Sequence, residues 1–426
     1  MSALNPMDPE VMKCPFDWYA ELHADPAGAR DYGPLGWVVT GHPDVETAAK
    51  NPAVFSSSFY GPAGPQLTGV SPEPYSPEVQ ELRDQLYPLD NALFSVDPPT
   101  HTRQKAIANK SLNIPRIRAL EDTIRAEANA LVDSFIDAGR CEFNAGFATP
   151  FPLILIATTL GVDRERIDDF KRWSDDIADG YLGVIDNPRR AQVLKSVKEY
   201  QDYLLEKIEE RRAHPTGDLL SAMVNEKIDD EDIAAAGGEL TGPRELSTGE
   251  VLAAVSQLLA AGNHTTTNAL INTMVLLIEN PDAMAELRAN PSLIPQTMDE
   301  SLRLEAPLRT TYRVTTQEAT VGGTTIPPGC LVPMMWGGAG HDPEVFPEPT
   351  QFDIHRPNAK KHLSFGHGPH FCPGSHLARA EFRVAFEVLL DRLDNIRFAD
   401  GVAPARAAMF PFTAYEGLNI EFDKIG

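Results

Sequence analysis

The sequence predicts a mainly helical fold with a small β component, and three observations lead to this expectation. Several long stretches repeat apolar residues at the spacing of an amphipathic helix. One stretch, residues 251–281, is apolar on nearly all sides, which is typical of a buried central helix. Strand-like segments are few and short, and they come from both ends of the chain: GWVVTG near the start, and TTYRVTT, ATVGGTTIPPG and LVPMMW far along it. Because strands from both ends would join one sheet, we expect a single domain over residues 1–426.

The helices are placed by their periodicity and by their end signals. Periodic stretches predict helices at DPPTHTRQKAIANKSL, IRALEDTIRAEANALVDSFIDAG, VLKSVKEYQDYLLEKIEERRAHPTG, LIPQTMDESLRLEAP and SHLARAEFRVAFEVLLDRL. The central helix follows a capping box, Ser247 with Glu250, and ends at Pro281. The acidic, glycine-containing stretch from Lys227 to Leu246 is interpreted as a surface loop.

Composition excludes several classes of protein. The 426 residues carry a formal net charge of −24, so phosphate backbones would repel the chain and nucleic acid is excluded as a partner. The four cysteines are scattered, which favours a reducing compartment. The N-terminal residues lack the pattern of a signal peptide. The most apolar stretch, FATPFPLILIATTLGV, is too short for a membrane span. We therefore expect a cytoplasmic protein that makes no membrane contact.

One cysteine lies in a glycine-rich loop, FGHGPHFCPGSHLAR, which covers residues 365–379. Closely spaced glycines let a backbone turn sharply and approach a large flat group. The helix that follows would stabilise Cys372 as a thiolate, and such a ligand suits haem iron. Two alternatives stay open from the residues alone. One is a catalytic cysteine with a histidine base, and the other is a zinc site built from His362, His367, His370, Cys372 and His376.

The pattern F-G-x-G-x-H-x-C-x-G followed by L-A-R resembles the haem-binding loop of the cytochrome P-450 family. Four further segments in the same order extend the resemblance over essentially the whole chain. It implies the cytochrome P-450 fold, a single large domain with a long central helix over the haem. It also implies haem b, iron protoporphyrin IX, with the Cys372 thiolate as axial metal ligand and with Phe365, Gly366 and Gly374 around it.

The resemblance assigns charged residues to two tasks. Glu300 and Arg303 match the family's E-x-x-R, and Arg356 would complete a buried structural triad. The two haem propionates would bind cations from three parts of the chain, namely His101, Lys105, Arg313 and His370. The family often has arginine where Lys105 stands, and lysine would bind as a point charge.

The central helix carries AAGNHTT, residues 260–266. The resemblance implies that the small residues Ala261 and Gly262 leave room for oxygen, and that Thr265 donates a hydrogen bond to the bound oxygen. The family usually has a carboxylate where His264 stands. Imidazole can relay protons near neutral pH, so His264 is expected to act with Thr265 in catalysis.

The family's layout also places the substrate pocket and a lid. Six pocket residues are implied: Gln257, Leu258, Leu308, Thr310, Phe412 and Thr413. The lid would be formed by residues 59–94 and by YLGVIDNPRR, residues 181–190. Arg309 is expected to be structural. Basic residues near the cysteine loop and on the helix of His101 form a candidate docking surface for an acidic carrier protein: Arg103, Lys105, Lys110, Lys360, Lys361, Arg379 and Arg383.

The sequence therefore predicts a haem-thiolate monooxygenase of the bacterial class, working as a monomer. It would take electrons from NAD(P)H through a ferredoxin and a ferredoxin reductase, activate O2, and hydroxylate or epoxidise a mid-sized, largely apolar organic molecule. Because His264 departs from the family pattern, a haem-thiolate ligand-binding or sensing protein stays open as an alternative. A peroxide-driven or C–C coupling oxidase stays open for the same reason.

Overall fold

The computed structural model of the protein describes residues 4–58, 73–182, 185–235 and 243–425. Within these ranges the chain forms the following α-helices: α1 (Pro9–Lys13), α2 (Phe16–Ala24), α3 (His42–Ala49), α4 (Pro77–Asp84), α5 (Thr100–Ser111), α6 (Ile114–Ala119), α7 (Glu121–Phe135), α8 (Pro150–Leu160), α9 (Ile167–Leu182), α10 (Asn187–Ala213), α11 (Leu219–Asn225), α12 (Asp230–Ala235), α13 (Thr248–Glu279), α14 (Pro281–Ala289), α15 (Ile294–Leu304), α16 (Trp336–Ala339) and α17 (Ser375–Arg392). The strands are β1 (Ala29–Asp31), β2 (Trp37–Val39), β3 (Phe55–Ser56), β4 (Arg140–Glu142), β5 (Thr310–Thr315), β6 (Ala319–Val321), β7 (Thr324–Ile326), β8 (Leu331–Met335), β9 (Leu393–Phe398) and β10 (Asn419–Lys424). The predicted class, mainly helical with a small β component, is confirmed.

The chain divides into two compact units, each assembled from separate segments. The first unit consists of Met1–Phe55, Ile117–Pro152 and His264–Gly426, and the second of Ser56–Arg116 and Leu153–Asn263. A single domain over residues 1–426 stays a prediction.

The first unit contains the sheets. Its largest sheet has the strand order β1-β2-β8-β5-β3. Strand β2 runs parallel to β8, with Val39 opposite Met334, and β5 pairs antiparallel with β8 from Thr310 opposite Met335 onwards. The expectation that strands from both ends of the chain share one sheet is therefore confirmed. A three-stranded sheet, β4-β10-β9, and the hairpin β6-β7 complete the β structure of the described residues.

The second unit is built on helices packed around a buried apolar cluster. Members of this cluster come from α5, α8, α9, α10, α11 and the first part of α13. Phe170, Trp173 and Tyr200 are fully buried there with ring centroids 5.3–6.1 Å apart. The central helix was predicted to be apolar on nearly all sides, and this is explained because α13 is buried on almost every turn.

Several predicted boundaries are confirmed, and two are wrong. The capping box before α13 is present: Glu250 N–H donates to Ser247 Oγ at 3.0 Å, and Ser247 N–H donates to Glu250 Oε2 at 2.9 Å. The single helix expected over residues 117–139 is divided into α6, which begins earlier, and α7, whose first turn carries Glu121 and Asp122 at the positive end of its dipole. The acidic stretch expected to be a loop contains α12, because Asp229 Oδ1 accepts the Asp232 N–H and starts a helix there.

Some expectations fall outside the described residues. The first lid segment includes α4, but its residues 59–72 lie outside the described ranges, as do residues 183–184 of the second segment and residues 236–242 of the acidic stretch. The apolar stretch around residue 150 forms α8, a helix of 11 residues. Among the described residues, none of the helices has the length and apolar character that crossing a membrane requires.

Candidate active site

The cysteine loop is closed by two tight turns. Gly366 and Gly368 both have positive φ, +71° and +68°, a region that glycine occupies without strain. The Gly366 N–H donates to Leu363 O at 2.8 Å, and the Cys372 N–H donates to Phe365 O at 2.8 Å. Helix α17 begins at Ser375, three residues after the cysteine. Cys372 is therefore held just before the positive end of an 18-residue helix, which favours its thiolate form.

The glycines of the candidate site differ in whether their surroundings leave space for a side chain. A Cβ on Gly368 would lie 2.6 Å from Ala49 O, so this glycine is needed to pack the loop on the end of α3. A Cβ on Gly374 would lie 3.8 Å from Cys372 Sγ, and one on Gly262 would lie 3.8 Å from Ile156, both ordinary contacts. Packing within each unit therefore does not require glycine at positions 374 and 262. Each of these glycines, considered within its own unit, leaves room that a side chain would otherwise occupy.

The residues present fit a haem with a thiolate ligand. Cys372 is a half-buried cysteine. Ala261 is exposed although Leu259 and Asn263 on the same helix are buried, so α13 is accessible at this position. No three His, Cys, Asp or Glu side chains in the described part of the chain are placed to hold a metal ion together, which disfavours the zinc alternative.

Glu300, Arg303 and Arg356 come together as a buried triad. Arg303 Nε donates to Glu300 Oε2 at 2.7 Å, and Arg356 Nε lies 3.0 Å from the same oxygen. The Glu300 and Arg303 side chains have no exposed surface, and 6% of the Arg356 side chain is exposed. Both guanidinium groups also donate to backbone carbonyls of residues 340–351, so their N–H groups are used for structure.

The candidate propionate ligands are divided between the units. His101 and Lys105 lie four residues apart on α5, which places them on one helix face; His101 is buried and Lys105 half-buried. In the first unit, Arg313 is buried on β5 and donates to Tyr312 O at 2.8 Å, and His370 is half-buried in the cysteine loop.

Arg103 does not belong to a docking surface, and this part of the expectation is wrong. Its side chain is buried and forms an ion pair with Glu250, the residue that caps α13. Gln104 Nε2 also donates to Glu250 Oε1 at 2.9 Å. The remaining basic residues differ among themselves. Lys360 and Lys361 are exposed, whereas three of the others form ion pairs: Lys110 with Asp232, Arg379 with Asp299, and Arg383 with Glu121 and Glu387.

The sequence analysis did not identify one acid that lies beside the helix segment of His264 and Thr265. Glu381 on α17 is buried and bonds to the Thr266 side chain, next in sequence to Thr265. His264 and Thr265 are both half-buried on α13. Burial raises the pKa of Glu381 to about 8, and the bond to Thr266 only partly offsets this. Glu381 therefore carries a proton at neutral pH, in contact with the residue that follows Thr265.

This buried acid predicts a pH-dependent stability. The pKa of Glu381 is about 8 in the fold and 4.5 for an unperturbed group, so the stability that its protonated form contributes is complete below pH 4.5 and is lost as pH rises to about 8. Between about pH 6 and pH 8, we expect the free energy of unfolding of the wild type to fall by roughly 2–3 kcal/mol relative to Glu381→Gln. Urea unfolding of the haem-loaded proteins at both pH values measures this.

The control for this prediction lies on the same helix. Burial opposes ionisation of Glu387, but Arg125 and Arg383 outweigh it and lower the pKa of this carboxyl. Glu387→Gln should therefore show the same pH slope as the wild type over this range. An equal pH slope for the wild type and Glu381→Gln would contradict a raised pKa at Glu381.

The candidate pocket residues of the first unit lie close together. Leu308 and Phe412 face each other in a β-bridge. The hydroxyl of Thr310 donates to Met334 O at 3.0 Å, and that of Thr413 donates to Ala306 O at 2.9 Å. Arg309 is buried and donates to Thr413 Oγ1 and to backbone carbonyls, as expected for a structural residue.

The candidate pocket residues of the second unit lie on α13. Leu258 is partly buried against the apolar cluster. Gln257 is buried, accepts from Phe94 N–H at 3.4 Å and donates to Ser95 Oγ at 3.5 Å. The Gln257 amide therefore holds the segment before α5, and a substrate would have to compete with these two hydrogen bonds for it.

The chain resembles known proteins along its whole length. The family model that matches is Cytochrome P-450, over residues 175–397. The cytochrome P-450 monooxygenase PikC of Streptomyces venezuelae is 32% identical over 411 residues, which are 95% of this chain and 89% of that protein. The 6-deoxyerythronolide B hydroxylase of Saccharopolyspora erythraea is 32% identical over 381 residues, 88% of each chain.

A solved structure agrees with these relatives. The cytochrome P-450 CYP109Q5 from Chondromyces apiculatus has a TM-score of 0.84, 32% sequence identity, and coverage of 100% of both chains. The predicted fold is therefore confirmed. The relatives are named as a monooxygenase and a hydroxylase, which supports the oxygen-inserting function and not the ligand-binding or sensing alternative.

Proposed function

Because the chain belongs to the cytochrome P-450 family and is a monooxygenase of its bacterial type, we propose that Cys372 is its haem ligand and that it oxidises a mid-sized, largely apolar secondary metabolite. One observation carries the ligand assignment: the half-buried Cys372 is held by two glycine turns just before the positive end of α17. Family membership implies haem with thiolate ligation.

Haem with a thiolate ligand supplies the electron-rich iron at which dioxygen is cleaved. The chain's own residues must hold the haem and deliver protons. His101, Lys105, Arg313 and His370 would bind the propionates, since each is a cation or can become one, and three lie on regular secondary structure. Phe365, Gly366 and Gly374 would shape the cradle around Cys372, and Ala261 and Gly262 would keep the space open on α13.

Proton delivery is proposed for two side chains on α13. Thr265 offers a hydroxyl that can both accept and donate a proton, and the neighbouring imidazole of His264 exchanges protons near neutral pH. Glu381 supports this segment, because its protonated carboxyl bonds to Thr266. The acid that the family usually has before the threonine would thus be replaced by a histidine on α13, with a protonated carboxyl on α17 nearby in the same unit.

The proposed substrate class follows from the candidate pocket residues and from the relatives. Leu258, Leu308 and Phe412 are apolar, and the hydroxyls of Thr310 and Thr413 are already bonded to backbone carbonyls. A substrate that needs few polar contacts fits such residues. One relative is named for hydroxylation of 6-deoxyerythronolide B. We propose an organic molecule of comparable kind, hydroxylated or epoxidised.

The electron route is part of the proposal. Lys360 and Lys361 are exposed shortly before the cysteine loop, where two positive charges would attract an acidic carrier. We propose a ferredoxin and its reductase as the carriers of electrons from NAD(P)H, to a chain that works as a cytoplasmic monomer.

The test uses the haem-loaded protein with a ferredoxin, its reductase, NADPH and isotopically labelled dioxygen, with macrolides as probes. One labelled oxygen atom should appear in the product. In the His264→Ala variant, haem and substrate binding should persist, but the fraction of NADPH converted to product should fall, on the order of tenfold or more, as hydrogen peroxide is released instead. Thr265→Ala should show the same defect.

His214→Ala is the matched control, because His214 is an exposed histidine at the end of α10. It should leave the ratio of product to NADPH unchanged. If the ratio is also unchanged in His264→Ala, proton delivery by His264 is wrong. If the product contains no labelled oxygen, the proposed reaction is wrong.

A further inference from the structure

Three polar side chains meet beside the cysteine loop: Asp299 from α15, His362 from the segment before the loop, and Arg379 from α17. Arg379 Nη1 donates to Asp299 Oδ1 at 2.6 Å, and His362 Nε2 lies 3.4 Å from the same oxygen. The Asp299 side chain is 1% exposed and that of His362 is 2% exposed, whereas Arg379 reaches solvent with 37% of its side chain. A carboxylate is thus buried between a partly exposed cation and an imidazole.

The hydrogen bonds fix the charge of each member. The Ser364 N–H donates to His362 Nδ1 at 3.1 Å, so Nδ1 is an acceptor and the ring proton lies on Nε2, facing Asp299. Burial lowers the pKa of His362, which is therefore neutral. Burial opposes ionisation of Asp299, but His362 and Arg379 outweigh it and lower the pKa of this carboxyl. The cluster holds one negative and one positive charge.

Two members of the cluster, Arg379 and His362, pack against the first residue of the cysteine loop, Phe365. The Arg379 guanidinium lies 5.0 Å from the centre of the Phe365 ring, and the His362 ring lies 5.7 Å from it. The carbonyl of Phe365 accepts the Cys372 N–H at 2.8 Å. Asp299 therefore contacts Arg379 and His362, whose side chains pack against Phe365, and the carbonyl of Phe365 accepts the hydrogen bond from the Cys372 backbone.

One oxygen of the Asp299 carboxylate is not used to hold its neighbours in place. Asp299 Oδ2 is buried and has no hydrogen-bond partner in the described part of the chain. A buried carboxylate oxygen without a donor is unfavourable for folding. An amide would place an oxygen toward Arg379 without burying a charge. Hydrogen bonding to Arg379 therefore does not explain why this residue carries a negative charge.

We propose that Asp299 is a positioning residue that sets the reduction potential at Cys372, by cancelling the charge of Arg379 and holding Phe365 against the cysteine backbone. This inference rests on the proposed ligation of haem by Cys372. Without Asp299, one uncompensated positive charge would stand at the loop and favour the added electron. With Asp299, the iron keeps a lower potential.

The test is the midpoint potential of the ferric/ferrous couple in the full-length, haem-loaded protein. In Asp299→Asn, the equilibrium should shift about threefold to tenfold toward the ferrous form, a tenfold shift being about 59 mV for one electron. The ferrous carbon monoxide complex should keep its thiolate-type absorption band. In Arg379→Gln, which leaves the carboxylate uncompensated, the shift should have the opposite sign.

The double variant Asp299→Asn with Arg379→Gln separates charge from packing. It restores a neutral cluster, so its potential should return toward that of the wild type, whereas a purely structural role predicts a larger disturbance than in either single variant. Glu286→Gln is the control, because Glu286 forms an exposed pair with His355 at 2.9 Å. Screening by water should leave its potential unchanged.

The outcomes are distinct. A wild-type potential in both Asp299→Asn and Arg379→Gln, with the thiolate-type band intact, overturns the inference. If Asp299→Asn does not bind haem, the sign of the shift in Arg379→Gln decides. A wild-type protein without a thiolate-type band overturns the proposed ligation, and this inference with it.

Discussion

Replacing Cys372 by serine should abolish the thiolate-type absorption band of the ferrous carbon monoxide complex and reduce oxygenation of any substrate below detection. A serine hydroxyl is a far weaker donor to iron than a thiolate, and the electron donation that promotes O–O cleavage would be lost. The change replaces a single sulfur atom by oxygen in a half-buried loop residue, so the fold should persist. Absorption spectra of the reduced protein with carbon monoxide measure the effect.

Cys14→Ser is the matched control, because Cys14 is an exposed free cysteine in the same unit. It should leave the spectrum and the activity unchanged. A thiolate-type band that survives in Cys372→Ser would assign the ligand to one of the other cysteines and contradict the site described above.

Replacing Glu300 by glutamine should destabilise the haem-loaded protein by roughly 3–5 kcal/mol. The substitution removes the carboxylate that compensates two buried guanidinium groups, Arg303 and Arg356, and among the described residues neither has another ion-pair partner. Since the free energy of unfolding of most proteins is about 5–15 kcal/mol, the variant should lose much of its stability. Urea unfolding followed by circular dichroism and by haem absorbance measures the change.

The control reproduces the spacing of the pair at the surface. Glu209 and Arg212 on α10 are also three residues apart and 2.5 Å from each other, but 70% of the Glu209 side chain is exposed. Glu209→Gln should change the free energy of unfolding by less than about 0.5 kcal/mol. Equal effects of the two substitutions would show that burial of the triad is not what makes it important.

Much of the fold could be predicted because its strongest signals are local. Helix α13 is predicted by its nearly continuous apolar character, its capping box and the proline that follows it. Each of these signals can be recognised within a short stretch of sequence. The shared sheet also followed from β-branched segments at both ends. Strands β4, β9 and β10 were missed because they are short or polar at the surface, and their pairing joins residues far apart in sequence.

The cysteine loop could be predicted in the same way, since its glycines, cysteine and helix start lie within fifteen residues. The burial of three charged sites could not be predicted, namely Asp299, Glu381 and the Arg103–Glu250 ion pair. A single charged residue in a helix is normally expected at the surface, and only the tertiary packing shows that it is buried. Glu381 did leave one signal. It stands on the apolar stripe of α17 with Leu377, Ala385 and Val388, where a carboxylate is out of place.

The most direct test of haem-thiolate chemistry in this protein is a titration of the purified ferric form, followed by its Soret band, with macrolides, terpenoids, steroids and aromatic acids. We expect a thiolate-haem Soret band that shifts toward the high-spin form with one of the mid-sized, largely apolar classes. Aromatic acids should leave the band in place. A protein that binds no haem, or one whose band moves only with the small charged acids, would contradict this expectation.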